Sequence, residues 1–499
     1  MAGNRLNHDG RNFYNSLYIM PAVFAFVLLI LFFIYDQSAY SFRENGITAD
    51  VIILSSFILS ASVGYIYYRK RRLNAELIVI LLFACGFALR LGYALRYGYA
   101  VNQHDVESLR TSGHLSYIYG IAESFSLPDT NYWQFSHPPL HHIIAAGVVK
   151  LSELCGFSLD RAFENIQLLT VFYASMTMLA GYSICRICRI RGNTLCFCAM
   201  LLAFHPSFFI LAGSINNDIL MILLSMYAVV FLMKWYGAPS IKYAFICGLF
   251  CGLAMCTKVS AALIAVVAAI TVVIKYIGDR HSGNNSLPLG KAALQTLCFL
   301  AVLLPLGLWH PIRNYILFEQ PLGYVAPIPV TSGLYTGDVS FVKRLILPFS
   351  TENFGIYVDV WKEYNVWHYL LRNSLFGEYN FGKEGIAVFA VAANFVLITA
   401  SIAALVHILV RRSFKTERLM PLIVMYFVQL AFFIYFNIRY PFGCTMDFRY
   451  IVPLLFCKTA FLGVEDVRLK GTAPVLNIAV YAVKFAVVIL SVTSVLLFI

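Results

Sequence analysis

Charge is what this sequence has least of. Asp, Glu, Lys and Arg together make up 12% of its 499 residues, and apolar types make up 60%. Soluble domains carry about 25% charge, so a soluble enzyme is excluded before any motif is read. Disordered and collagen-like chains are excluded on the same arithmetic. The mean hydropathy is +0.74. Zinc-type pairs of CxxC motifs are missing, and so is any disulfide framework. The 12 cysteines fall mostly inside apolar runs, such as Cys247, Cys251 and Cys298, where cysteine serves as a small hydrophobe. No basic stretch is long enough for nucleic acid. The net charge of +12 is read instead as basic anchors at helix ends.

What is present is a succession of apolar runs parted by short basic loops, the pattern of an all-α, polytopic transmembrane protein. Runs near 17–35, 51–68, 77–95, 166–185, 194–212, 217–235, 243–256, 260–277, 290–308, 385–410, 419–438, 449–464 and 474–498 predict about 13 transmembrane helices. The polar Met1–Asn15 stretch precedes a run too long for a cleaved leader, so the first helix is expected to be retained. Arg69-Lys70-Arg71-Arg72 places the second connection inside. Every other inside loop is basic too, for example Arg186, Arg189 and Arg191, or Arg411, Arg412, Lys415 and Arg418. Two outside segments, about 96–165 and 309–384, are long, and both are expected to carry interfacial helices. Polar material therefore gathers on one face. A carrier would keep its chemistry at the midplane, so the chemistry is expected at the outer surface.

The first outside loop contains Asn102-Gln103-His104-Asp105-Val106-Glu107, then an amphipathic stretch over 108–124, then Ser136-His137-Pro138-Pro139-Leu140-His141-His142. Pro138-Pro139 removes two backbone donors and fixes the angle at which the chain enters the next apolar helix. Taken singly, Asp105 also reads as a solvated loop carboxylate, and the histidines as interfacial packing. Asp218 also reads as an N-cap of the helix starting near 217, Lys258 as a snorkelling helix end, Arg313 as a helix terminator, and Arg449-Tyr450 as an interfacial anchor.

Set in order, these residues resemble the GT-C membrane glycosyltransferases, and within them the protein O-mannosyltransferase and aminoarabinose-transferase branch (glycosyltransferase family 39-like). The resemblance rests on Asp105 just after an early helix and on His137-Pro138-Pro139-Leu140. It continues through Asn216-Asn217-Asp218 and the Gly-rich 248–258 ending in Thr257-Lys258. It ends with Pro311-Ile312-Arg313-Asn314…Pro321 and Asp447-Phe448-Arg449-Tyr450-Ile451-Val452-Pro453. It implies a GT-C core over 76–460, preceded by a cytoplasmic N-terminus and extra hairpin in 1–75 and followed by a loop and last helix in 461–499. The extra hairpin departs from the family's simplest layout.

The resemblance further implies sugar transfer from a polyprenyl-phosphate-linked donor to a protein, glycan or lipid acceptor, with inversion. Asp105 would be the general base, and His137, Lys258, Arg313, Arg449 and Tyr450 would bind the donor phosphate and sugar. His104, Glu107, His141, Asp218 and Glu378 would support them. No essential metal or other cofactor is expected, although His104, Asp105, His137 and His141 are ligand types that a divalent ion accepts. Residues 325–370 are expected to set acceptor choice. A bacterial plasma membrane is the expected compartment, since the sequon Asn284-Asn285-Ser286 falls in an inside loop. A transporter or flippase of lipid-linked sugars is the alternative. It would need ionisable residues at mid-helix and paired broken helices. A scaffold subunit with a degenerate site is a third reading.

Overall fold

The computed structural model describes residues 20–34, 46–102, 104–106, 111–283, 287–346, 355–411, 418–470 and 474–499. Among them there is no strand, only an isolated bridge between Tyr335 and Phe442. The chain folds as an integral multi-pass helical membrane protein. Within the described residues each apolar run contributes a helix, but not each is a full span. Nine described helices are long and apolar enough to cross a membrane, or ten if one bent pair counts as a span. α1 (Met20–Ile34) and α10 (Ile241–Met255) are shorter. The run at 449–464 becomes a 3₁₀ turn, Phe448–Ile451, and then α16 (Leu454–Leu469).

Lipid-facing helices show their apolar side chains outward, the reverse of a soluble protein. α2 (Gly46–Arg69) exposes Leu54, Ile58 and Leu59. Its other face docks on α3 (Ala75–Tyr97) through Ile53, which sits against Gly92, and Ser56 Oγ donates to the Ala84 carbonyl at 3.3 Å. α3, α6 (Leu159–Ile187) and α9 (Asp218–Gly237) are the buried centre.

α7 (Gly192–Phe204) and α8 (Ser207–Gly213) form the bent pair, meeting at 42°. His205-Pro206 lies at the bend. Pro206 has no N–H to give and its ring crowds the carbonyl four residues back. A carbonyl left unpaired in lipid costs several kcal/mol. Arg90, fully buried on α3, supplies the missing donors. Its guanidinium gives hydrogen bonds to the carbonyls of Ala203 (2.9 Å), Leu202 (3.1 Å) and Gly86 (2.8 Å) and lies over the rings of Phe208 and Phe209.

α12 runs from Leu289 to Phe318 with Pro305 and Pro311 inside it. The sequence placed the start of the second long loop at 309. Trp309–Asn314 is helical instead, because a helix in lipid accommodates an interior proline when neighbouring groups re-satisfy the backbone. α11 (Ala262–His281), α14 (Glu384–Val410), α15 (Met420–Arg439) and α17 (Pro474–Phe498) complete the bundle. The polar segments hold α4 (His114–Ser124), a 3₁₀ turn at Trp133–Ser136, α5 (Leu140–Leu154) and α13 (Val366–Phe376). Residues 108–110 of the expected amphipathic stretch and the sequon at 284–286 lie outside the described residues.

α10 and α12 pack backbone to backbone, as small residues allow in membranes. A Cβ on Gly248 would stand 2.6 Å from the Phe299 carbonyl oxygen, which is main chain and has little room to shift. A Cβ on Gly147 of α5 would meet nothing within 4 Å. Gly248→Ala is therefore expected to destabilise by about 1–3 kcal/mol as overpacking does. Gly147→Ala should be neutral or slightly stabilising. Melting temperatures of the two detergent-solubilised variants would check this; equal shifts would refute the packing account.

Candidate active site

The polar cluster forms where one end of the bundle meets both long loops. Asp105 follows α3 and has φ 57°, a left-handed conformation that Asp tolerates better than most residues. The turn is pinned by α4, whose His114 and Leu115 N–H groups donate to the carbonyls of Asp105 (3.0 Å) and Val106 (3.2 Å). Asn216 Oδ1 accepts the Asp218 N–H at 3.1 Å, and Asn217 Nδ2 donates to the Thr257 carbonyl at 2.8 Å. The first bond shapes the head of α9, and the second ties it to the foot of α10. The Leu140 N–H donates to the Cys256 carbonyl at 3.0 Å, which brings the His-Pro-Pro-Leu segment to the same place. Asn373 of α13 holds the Phe448 N–H at 2.6 Å, which seats the Asp447–Tyr450 segment.

Arg449 is the hub. Its Nη1 donates to Asp105 Oδ2 at 2.9 Å and stands 3.7 Å from Asp218 Oδ2, and its Nε stands 3.3 Å from Asp447 Oδ2. Lys258 Nζ donates to Asp218 Oδ1. Tyr450 presents its ring to both cations, 5.3 Å from the guanidinium and 5.5 Å from the ammonium. Of the four carboxylates, Asp105 is the most open at 28%, against 2% for Asp218. His104 stands 3.7 Å from both Glu378 and Asp447.

The electrostatics follow from this crowding. Burial alone would raise the Asp105 carboxyl, but Arg449 and His104 outweigh it and hold it below the ordinary value. Glu378 goes the other way: burial and then the Asp447 charge raise it. Burial pushes the His137 imidazole down to about 3, with Lys258 adding to the effect, so His137 is a neutral group. Its ring stacks with that of His114 at 6.1 Å. His114 Nδ1 and His142 Nε2 share a hydrogen bond of 2.9 Å.

Asp105, Lys258, Arg449, Tyr450 and Asp218 meet in one cluster, with His104 and Glu378 beside it; the charges of Lys258, Asp218 and Asp105 all bear on His137. Asp218 is not the N-cap of α9, a position held by Asn217. Its carboxylate instead faces Lys258 and Arg449. Lys258 is an ion-pair partner rather than a snorkelling end, and Arg449 is too buried for an interfacial anchor. His141 turns to the Ile215 carbonyl at 2.8 Å. Arg313 is not brought to the cluster; its guanidinium donates to the Pro128 carbonyl at 2.8 Å and lies over Phe318. Glu107 lies outside the described residues. No essential metal was expected; of the four residues named as acceptable ligand types, only His104 belongs to a group that could hold an ion among the described residues, and its partners are Glu378 and Asp447. Asp447 was within the quoted Phe-Arg-Tyr segment but was not singled out. A carboxylate two residues before a buried arginine was the signal available.

Residues 136–309 match the family described as dolichyl-phosphate-mannose-protein mannosyltransferases. The match includes His137, Asp218 and Lys258 and bears out the resemblance seen in the sequence. Two solved structures are similar. One is the protein O-mannosyltransferase Pmt1-Pmt2 complex of S. cerevisiae bound to the sugar donor, with 18% identity over 52% of this chain and a TM-score of 0.37. The present chain covers 35% of that chain. The other is ArnT from Cupriavidus metallidurans in the apo state, with 14% identity over 84% of this chain and 75% of that one, and a TM-score of 0.47. No curated protein matches.

Removing one member of a buried ion pair strands its partner and costs about 3–5 kcal/mol. Lys258→Met is expected to lower the melting temperature far more than Lys258→Met combined with Asp218→Asn, which removes the stranded charge. A double-mutant cycle on melting temperature reads this, and strict additivity would show that the pair is not coupled.

Proposed function

We propose that this chain transfers a sugar from a polyprenyl-phosphate-linked donor to an acceptor hydroxyl, at the extracytoplasmic face of the membrane. The observation carrying this is the Arg449–Asp105 pair, 2.9 Å apart, with Lys258 and neutral His137 alongside. A leaving phosphate gains charge as the glycosyl bond breaks, and fixed cations and N–H donors stabilise it. Arginine's planar fork suits two phosphate oxygens. Arg449 and Lys258 supply the charge; His137 supplies a neutral donor or acceptor. The acceptor oxygen attacks the anomeric carbon in line and its proton passes to the Asp105 carboxylate. The bond from the anomeric carbon to the phosphate oxygen breaks, and polyprenyl phosphate leaves. Attack from the side opposite the leaving group inverts the centre.

A paired, depressed Asp105 is a weak base. The donor corrects this, because its phosphate competes for Arg449. A carboxylate that loses its counter-ion inside a partly buried site rises in pKa, and so becomes a better base when the donor is in place. The basic loops at the other end of the helices support an extracytoplasmic site. The family match at 136–309 supports the donor class. The transporter reading asks for mobile charges at mid-helix. Arg90 and Lys458 are buried charges within helices, but both are held in place: Arg90 by the carbonyls at the α7–α8 bend and Lys458 by Asn394 Oδ1 at 3.1 Å.

The test is a transfer assay with purified protein, radiolabelled polyprenyl-phosphate sugars and an envelope extract. Asp105→Asn should lower transfer by about 10²–10⁴-fold, the range for general-base loss. Undiminished transfer by that variant would sink the assignment of the base. The pH profile of kcat/KM reports the free enzyme. Since Asp105 is depressed there, its ionised form is present throughout pH 5–7 and its acid limb should fall below the ordinary 3.8. A carboxylate limb near pH 6 that vanishes in Asp105→Asn would contradict the pairing with Arg449.

A further inference from the structure

We infer that His104, Glu378 and Asp447 form a binding site for one divalent transition-metal cation, of the Mn²⁺ or Zn²⁺ type. The three side chains each offer one ligand atom, and these atoms all lie within 4.8 Å of one another. His104 is 3.7 Å from each carboxylate. Glu378 Oε2 is reached from Nδ1 and Asp447 Oδ2 from Nε2; both separations are too long for a hydrogen bond, and within the 4.8 Å group one imidazole nitrogen and one oxygen of each carboxylate can share an ion.

Each carboxylate has one oxygen spent on orientation and one turned to His104. Glu378 Oε1 accepts from the Tyr369 hydroxyl at 2.7 Å, and Oε2 faces His104. Asp447 Oδ1 accepts the Arg449 N–H at 2.9 Å, and Oδ2 faces His104. Asp447 Oδ2 is buried and has no hydrogen-bond donor, although Arg449 Nε stands 3.3 Å away. Outer partners that fix one oxygen and free the other are what metal ligands need. The His104 ring is itself steadied by Tyr379, 5.2 Å away.

Charge gives the second argument. Asp105, Asp218, Asp447 and Glu378 face only two fully charged partners, Arg449 and Lys258, among the described residues. Acidic charge is in excess where water is scarce, and a cation at this site offsets it. An imidazole with two carboxylates suits Mn²⁺ or Zn²⁺ better than Ca²⁺ or Mg²⁺, which prefer oxygen alone. The site lies next to Asp105 without using it. Occupation would relieve Asp447 of its dependence on Arg449 and leave that guanidinium freer for an incoming anion.

The experiment reads the ion, not the transfer, so it stands or falls apart from the proposed activity. Full-length protein is stripped with EDTA and titrated with Mn²⁺, with bound ion counted by electron paramagnetic resonance. Nitrogen ligation is read from the ¹⁴N modulation in pulsed spectra. The expected result is one bound Mn²⁺ with imidazole modulation. His104→Gln should abolish the modulation and weaken binding at least tenfold. Glu378→Gln keeps an acceptor for Tyr369 and should also weaken binding at least tenfold. Melting temperatures without metal verify that both variants are folded, and if one is not, the other decides. Absence of stoichiometric binding, modulation that persists in His104→Gln, or binding unchanged in both variants would overturn the site.

Discussion

A guanidinium out of water must be answered by carboxylates close enough to repay its desolvation, and here that requirement gathers the polar ends of the chain. Arg449 is met by Asp105, Asp218 and Asp447, which arrive from three segments far apart in sequence. The Asp105 loop, the head of α9 and the Asp447–Tyr450 turn are each positioned by their own hydrogen bonds, and the shared charge of Arg449 links all three. Lys258 then balances Asp218 from the foot of α10. A surface pair of this kind would be worth little. With Arg449 at 10% exposure and Asp218 at 2%, the arrangement is one that the fold must form correctly or lose several kcal/mol.

The same accounting explains the centre of the bundle. The bend at His205-Pro206 frees backbone carbonyls where no water is available, and Arg90 supplies their donors. Beyond the bend, α8 leads into the Asn216–Asp218 turn at the head of α9, where Asp218 meets Lys258. Arg90 therefore supports the site indirectly, by holding the bend that sets the start of α9. Its charge is spent on main-chain dipoles and on the faces of Phe208 and Phe209.

Apolar runs and basic loops disclosed the helices, because lipid imposes length and composition on each span. The ordered motifs disclosed most of the cluster, since Asp105, Lys258, Asp218 and Arg449 each sit at a helix end where a loop begins. What escaped depends on direction and on pairing. Nothing local in Trp309–Asn314 says that the helix continues past two prolines, nor that Arg313 turns to the Pro128 carbonyl. The short polar match at Asp218 fits an N-cap as well as an ion pair; Lys258, 40 residues on, decides between them. Arg90 was not among the residues picked out of the sequence, because its partners are carbonyls, which no sequence marks. Asp447 was hidden by its neighbour, the more conspicuous Arg449.

One cation serving both a base and a leaving group imposes an order on the proposed reaction. Without donor, Arg449 neutralises Asp105, and the open site is electrostatically satisfied but chemically idle. A phosphate entering beside Lys258 and His137 draws the guanidinium from the carboxylate, because a doubly hydrogen-bonded phosphate is a strong competitor for a planar fork. Asp105 is then left partly buried without its counter-ion, the condition under which a carboxylate becomes basic. In the proposed reaction the base is thus strengthened by the substrate whose departure it must assist, and an acceptor arriving first meets only a weak base. On the proposed function, buried carboxylates and a shared arginine, which cost stability, are in this way what would make donor binding a precondition for efficient proton removal.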